Sequence, residues 1–163
     1  MIEGSWSGMK KYLEQDMLCP ALRGRITWNL THFRPAGDEG AVFTVCLDGQ
    51  PVKRFGFQHA MKALRDQDLG TLYPWDIPLN QRDEFTDDEF AEALEFYRHQ
   101  PISASLESDN PIVLMFAVVD RRVGARTLAK LRETMSGQPE WLRKLYEATV
   151  TSRKAMRERG VQD

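Results

Sequence analysis

The chain has 163 residues, 42% of them hydrophobic and 28% charged, with a formal net charge of −2. That composition excludes a disordered or collagen-like chain and fits one globular domain with its own core. No apolar run is long enough to span a bilayer, the opening residues lack the apolar centre of a secretory signal, and the slight acidity argues against bulk affinity for nucleic acid.

The first predicted element is a helix over residues 6–18, where Trp6, Met9, Leu13 and Met17 recur at helical spacing. It stops at Cys19-Pro20, because the residue before a proline avoids the helical region. The period then changes to two. Residues 25–33 place Ile26, Trp28 and Leu30 on one face and Thr27, Asn29 and Thr31 on the other, the pattern of a half-buried strand. A turn over 34–40 leads to a second strand over 41–47, with Phe43, Val45 and Leu47 on one side. Asp48-Gly49 signals a hairpin, and Pro51 places the third strand, 51–57, at an edge.

Residues 59–68 follow as a short helix with Ala60, Met61 and Leu64 apolar. Residues 69–85 are irregular, and their Tyr73 and Trp75 are expected to pack on the body or to cover something. Thr86 to Glu89 fits a capping box at the head of a helix whose inward residues are Phe90, Ala93, Leu94 and Tyr97. Ser108 to Asn110 caps the next helix, with Pro111 at its first position. That helix is apolar on every side and is the expected centre of the core. Gly124 is expected to close it as a left-handed cap. Helices over 125–135 and 139–158 complete the chain, the last strongly charged past residue 150.

The expected fold class is α+β: a three-stranded antiparallel meander over 25–57, packed against a helical C-terminal half over 86–158. Residues 1–163 form a single domain with an N-terminal helix. The expected core is Trp6, Leu13, Ile26, Trp28, Leu30, Val45, Leu94, Leu114, Phe116, Val118, Leu128, Trp141 and Leu145.

Charge is unevenly placed along the chain. Residues 121–163 carry eleven Lys and Arg against five Asp and Glu, whereas residues 83–110 carry nine acids against one base, Arg98. The two regions either neutralise each other across an interface or leave the molecule with separate fields. Within the basic region, Asp120-Arg121-Arg122-Val123-Gly124-Ala125-Arg126-Thr127 gathers three guanidiniums around a glycine at a helix start. Guanidiniums grip carboxylate or phosphate bidentately, and a helix start offers free N–H groups. Arg121, Arg122 and Arg126, together with Arg25 ahead of the first strand, are therefore the candidate ligands for an anion or a nucleic-acid backbone. The competing expectation makes them helix-end cations and partners of the 83–110 acids. The same stretch resembles a helix-turn-helix only weakly, since its spacing is poor and the preceding segment is too apolar to cross DNA.

Other constellations carry less. Cys19 and Cys46 match no metal-ligand spacing and are expected to be small buried hydrophobes, as two free thiols in a reducing cytoplasm. His32, His59 and His99 are scattered, and no nucleophile or nucleotide-binding motif occurs. No metal ligand, cofactor or catalytic residue is assigned. Asp120 is the one carboxylate adjacent to the arginines that a catalytic reading would use as a base. Trp28, Phe33, Phe43, Phe55 and Phe57 make either a platform for stacking bases or the face on which the helices pack.

Three stretches together, LCPALRGRI (18–26), SDNPIVLMFAVVDRRVGARTL (108–128) and PEWLRKLYEATVTSR (139–153), resemble a family of small uncharacterised bacterial proteins. The resemblance covers most of residues 6–153. It departs at Ala125, where the family often has a basic residue, which weakens the anion site. It implies a bacterial origin and a cytoplasmic setting and carries no activity. The leading functional expectation is a non-catalytic binding or regulatory module acting on a protein partner, with no membrane role and an open oligomeric state. The alternatives are an anion- or nucleic-acid-binding protein using the arginines, and an enzyme on phosphorylated or carboxylated small molecules.

Overall fold

Alternation over the first third of the chain produces a sheet with one wet and one dry face. The computed structural model describes residues 4–32, 40–65 and 76–160, with the backbone alone for 62–65. Strands β1 (Ile26–His32), β2 (Ala41–Leu47) and β3 (Gln50–Gly56) pair in the order β1-β2-β3, antiparallel throughout. Ile26 faces Leu47, Trp28 faces Val45 and Leu30 faces Phe43, so the predicted dry face is continuous across the first pair. The Asp48-Gly49 turn has positive φ at both residues, 52° and 81°, which a two-residue hairpin of this twist requires. Phe33, the turn over 34–39, Tyr73 and Trp75 lie outside the described residues.

Both sheet edges are guarded. Along β1, the Glu14 carboxylate accepts from the Trp28 N–H at 2.9 Å and Lys10 donates to the Trp28 carbonyl at 2.8 Å. Lys10 and Glu14 are four apart on the first helical segment, α1 (Trp6–Lys11) continued by a π turn over Tyr12–Met17. That pair presents one donor and one acceptor to one strand residue. Along β3, Pro51 has no N–H to offer, and Phe85 bridges to Phe55 while its carbonyl accepts from Gly56 at 3.0 Å.

The dry face is covered by helices. Following β3 come α2 (Phe57–Arg65), α3 (Asp87–His99), α4 (Ile102–Leu106), α5 (Pro111–Val118), α6 (Ala125–Lys130), α7 (Arg132–Ser136) and α8 (Glu140–Glu158). The α3 capping box forms in full, with Glu89 N–H on Thr86 Oγ1 and Thr86 N–H on the Glu89 carboxylate. Asn110 caps α5, and all eight residues of α5 are buried, as a helix apolar on every side must be. Aromatics tie the layers together. Phe43 of β2 stacks on Phe90 of α3 at 4.2 Å between ring centres, and Phe116 of α5 meets Phe90, Tyr97 and Trp28 at 5.5, 5.2 and 5.9 Å. Trp28, Phe43 and Phe55 are therefore core and cannot be a platform for bases. Of the expected core, Trp6 and Leu30 are only partly buried at its margin, and the rest are buried.

Three details differ from expectation. A short helix, α4, follows Pro101, and the stretch read as one helix over 125–135 breaks at Leu131 into α6 and α7. Gly124 is not a left-handed cap: its φ is −77° and it stands as the N-cap of α6, with open space where a Cβ would go. The α5 helix ends earlier, at Val118, and the chain needs no backward turn because Asp120 takes over. Replacing Gly124 by Ser should thus stabilise the fold by a few tenths of a kcal/mol, because a hydroxyl caps better than hydrogen. A left-handed glycine would instead lose about 1 kcal/mol or more on the same change. Urea unfolding of the two proteins separates these outcomes.

Candidate functional site

The basic stretch after α5 is organised by one buried carboxylate. Asp120 is 0% exposed. Its Oδ1 accepts the Arg122 backbone N–H at 2.7 Å and the Arg122 Nε at 3.1 Å. Its Oδ2 accepts the Arg122 Nη2 at 2.8 Å and the Tyr97 hydroxyl from α3. A carboxylate offers about four acceptor positions, and all are filled. Asp120 is therefore held as a structural ion and has no lone pair turned to a substrate, which removes the footing for its use as a general base.

The backbone around Asp120 is equally engaged. The Arg121 N–H donates to the Met17 carbonyl at 2.8 Å and the Cys19 N–H to the Val119 carbonyl at 2.9 Å, so residues 17–19 and 119–121 form a short antiparallel contact. Burial and the adjacent Asp120 charge push the Tyr97 hydroxyl far above its ordinary range. The bonded Asp120 carboxylate pushes the Arg122 guanidinium up as well.

The four predicted arginines fall into two groups. Arg25 donates through Nε and Nη2 to the two oxygens of Asp48, each at 2.9 Å, and through Nη1 to Ser152 of α8. It staples the hairpin turn and the last helix to the start of β1. Arg122 is chelated by Asp120. Arg121 and Arg126 are exposed, with no side-chain hydrogen bond or ion pair among the described residues. Two of the four guanidiniums already face a carboxylate, so the set is not a ready cradle for an anion. The expected pairing with the 83–110 acids is not what engages them either. Glu84 is answered by Lys53, Glu89 by Arg82 and Glu95 by Arg98.

A different set of arginines converges nearby. The groove between α6 and α8, about 140 Å³, is lined by Leu128, Tyr146 and Val150 together with Arg132, Arg153 and Arg157. Arg132 lies over the Tyr146 ring at 5.5 Å and pairs with Glu147 at 2.8 Å. Arg153 is only 4% exposed and donates to the Val123 carbonyl, which anchors α8 to the turn after Asp120. The sequence signal for this groove is the stripe Tyr146, Val150, Arg153 and Arg157, spaced by four, three and four along one face of α8. A larger open groove of about 410 Å³ beside β3 is lined by Lys53, Lys144, Asp83 and Glu140, so its charges balance. Among the described residues no group of three His, Cys, Asp or Glu stands close enough to hold a metal ion, and no helix is long and apolar enough to cross a membrane. Both cysteines are buried, and neither forms a disulfide among the described residues.

Fold and site together define a small α+β protein whose helical half carries an arginine-lined surface beside a buried aspartate paired with a partly exposed arginine. The chain belongs to the SF0329 protein family, which matches residues 5–150 and so includes Arg132 of the groove but stops short of Arg153 and Arg157. Searches of curated proteins and of solved structures gave no match.

The Tyr97–Asp120 bond has a pH signature. The folded chain holds the Tyr97 proton more tightly than the unfolded chain, so the contribution is whole below about pH 10 and is lost as pH rises beyond it. Tyr146, raised by its burial, acts in the same sense. Wild-type stability should therefore fall above about pH 10, and Tyr97→Phe should flatten that fall while lowering stability near neutrality by about 1–2 kcal/mol. Denaturant unfolding across the alkaline range measures both, and an unchanged alkaline slope in the variant would contradict the assignment.

Proposed function

We propose that this protein is a non-catalytic binding module that takes an acidic protein partner on its basic C-terminal helices, in the cytoplasm of a bacterial cell. The observation that supports the reading is the separation of charge. Glu84 ahead of α3, and Glu89 and Glu95 within it, find cations from β3, from Arg82 and from α3 itself. Arg121, Arg126, Lys130, Arg143, Lys154 and Arg159 remain exposed on the turn, α6 and α8. Glu140, Glu147 and Glu158 are exposed on α8 beside them, and an excess of one sign on one set of elements steers an oppositely charged partner and helps set its orientation. A protein is favoured over nucleic acid because the chain is acidic overall, with a formal net charge of −2.

The enzyme alternative has little support, since the one carboxylate beside the arginines is saturated. The anion alternative retains Arg121 and Arg126, and it shares a test with the leading reading. The purified chain is heated with a Glu-rich peptide, with single- and double-stranded DNA and with inorganic phosphate, at low and at physiological salt. A ligand at a hundredfold excess over its Kd stabilises the native state by about 2.7 kcal/mol, a shift of several degrees in Tm. The peptide is expected to give that shift and to lose part of it in Arg121→Ala/Arg126→Ala. A shift with DNA alone would replace the protein-partner reading by the nucleic-acid one, and no shift with any ligand would end both.

A further inference from the structure

We infer that the groove beside β3 binds a small zwitterion, a free α-amino acid with an apolar side chain. It is a site separate from the basic surface of the turn, α6 and α8. At about 410 Å³ it falls within the roughly 300–1,000 Å³ of small-molecule sites. On the sheet side β3 is bulged. Val45 pairs with Lys53 and Cys46 with Pro51, which leaves Val52 without a partner on β2. Bulges at sheet edges re-aim side chains and recur beside functional sites. Here the bulge faces the first turn of α8 across the groove.

That first turn holds donors without acceptors. Pro139 stands at the N-cap and offers no side-chain cap, and the Glu140 and Trp141 N–H groups have no partner among the described residues. A 19-residue helix carries partial positive charge at this end. Trp141 supplies a second, independent observation. It lines the groove, is only 8% exposed, and its indole Nε1 has no hydrogen-bond partner. Phe55 and Phe85 pack against its ring and offer no oxygen. A buried donor left unpaired is costly, and an acceptor on a ligand removes that cost. Trp28, Arg82 and Ser105 also carry orphaned atoms, but none of them lines a described groove.

The charged side chains set the class of ligand. Lys53 is taken by Glu84 at 3.1 Å and adds no free charge. Asp83, Glu140 and Lys144 are exposed and make no ion pair among the described residues. Glu140 and Lys144 are four apart, on one side of α8. A simple anion would meet Lys144 and the helix N–H groups, but also two free carboxylates. A simple cation would leave the donors unanswered. A molecule with both charges answers both sets, its carboxylate toward Trp141 and Lys144 and its ammonium toward Asp83 and Glu140. Pro51, Val52 and the Trp141 ring are left to take an apolar side chain.

The test is titration calorimetry of the full chain with L-leucine, L-methionine and L-phenylalanine. The tightest of these is then compared with its N-acetyl form, which lacks the ammonium, and its amide, which lacks the carboxylate. The variants are Lys144→Ala, Asp83→Asn and Trp141→Phe, the last keeping a ring but no N–H, with Lys11→Ala as an exposed control away from the groove. Unchanged melting temperatures confirm that each folds. At least one amino acid is expected to bind. Both blocked forms and all three groove variants should bind roughly fivefold or more weakly, with Lys11→Ala equal to wild type. No binding of any of the three amino acids would overturn the site, as would equal binding of a blocked form or full affinity in any groove variant. The acidic-partner reading is unaffected by either result, because none of its exposed cations lines this groove.

Discussion

The arrangement of this molecule turns on a carboxylate that water does not reach. Asp120 sits just past the end of the most apolar helix, where an unpaired charge would be prohibitively costly. It is tolerated because Arg122 and Tyr97 fill its acceptor positions. Through Tyr97 it holds α3, and through the backbone beside it the chain pairs with residues 17–19. The Arg122 loop that it closes sets where α6 begins. Arg153 then reads that loop from α8 through the Val123 carbonyl. The pair adds less to stability than its hydrogen-bond count implies, because Asp120 gives up its water although Arg122 keeps part of its own. What Asp120 provides here is direction: the same bonds that satisfy it decide how the basic helices leave the core.

The sheet is built to the opposite rule. Three strands cannot stand alone, and the aromatic stack of Phe43, Phe90 and Phe116 joins sheet to helices through apolar burial. Its exposed rims are closed by local chemistry: a Lys10–Glu14 pair on one side, and a proline and a single bridging residue on the other. The sheet edges are thereby guarded against pairing with another chain.

Much of this is legible in the residues, and the division is physical. The strand faces, the Asp-Gly hairpin, the Thr86–Glu89 box and the Asn110-Pro111 start are set by neighbours a few positions apart, so pattern alone finds them. Helix α5 is legible because no polar residue interrupts it. Gly124 is misread because a glycine after a helix is compatible with either hand, and the deciding bond comes from Met17, over a hundred residues away. The arginines fail for the same reason. Arg121, Arg122 and Arg126 are conspicuous as a cluster in sequence, yet Asp120 consumes one of them. Arg25 finds Asp48 and Ser152, the second far along the chain. Arg153 looks like part of a solvated, charged helix end until α6 folds across it. The spacing of Tyr146, Val150, Arg153 and Arg157 was visible, but only the burial of Arg153 distinguishes that stripe from an ordinary charged face.

Asp120 and Arg122 act as one unit that fixes the turn into the helical half. A double-mutant cycle on Asp120→Asn and Arg122→Ala, followed by urea unfolding at neutral pH, measures it most directly. The two losses are expected to be far from additive, with a coupling of about 1.5–3 kcal/mol. Arg122→Ala should be the more damaging change, since it strands a buried carboxylate, whereas Asp120→Asn frees a guanidinium that can reach water. Losses that simply add, to within about 0.5 kcal/mol, would contradict the claim and make the pair two independent contacts.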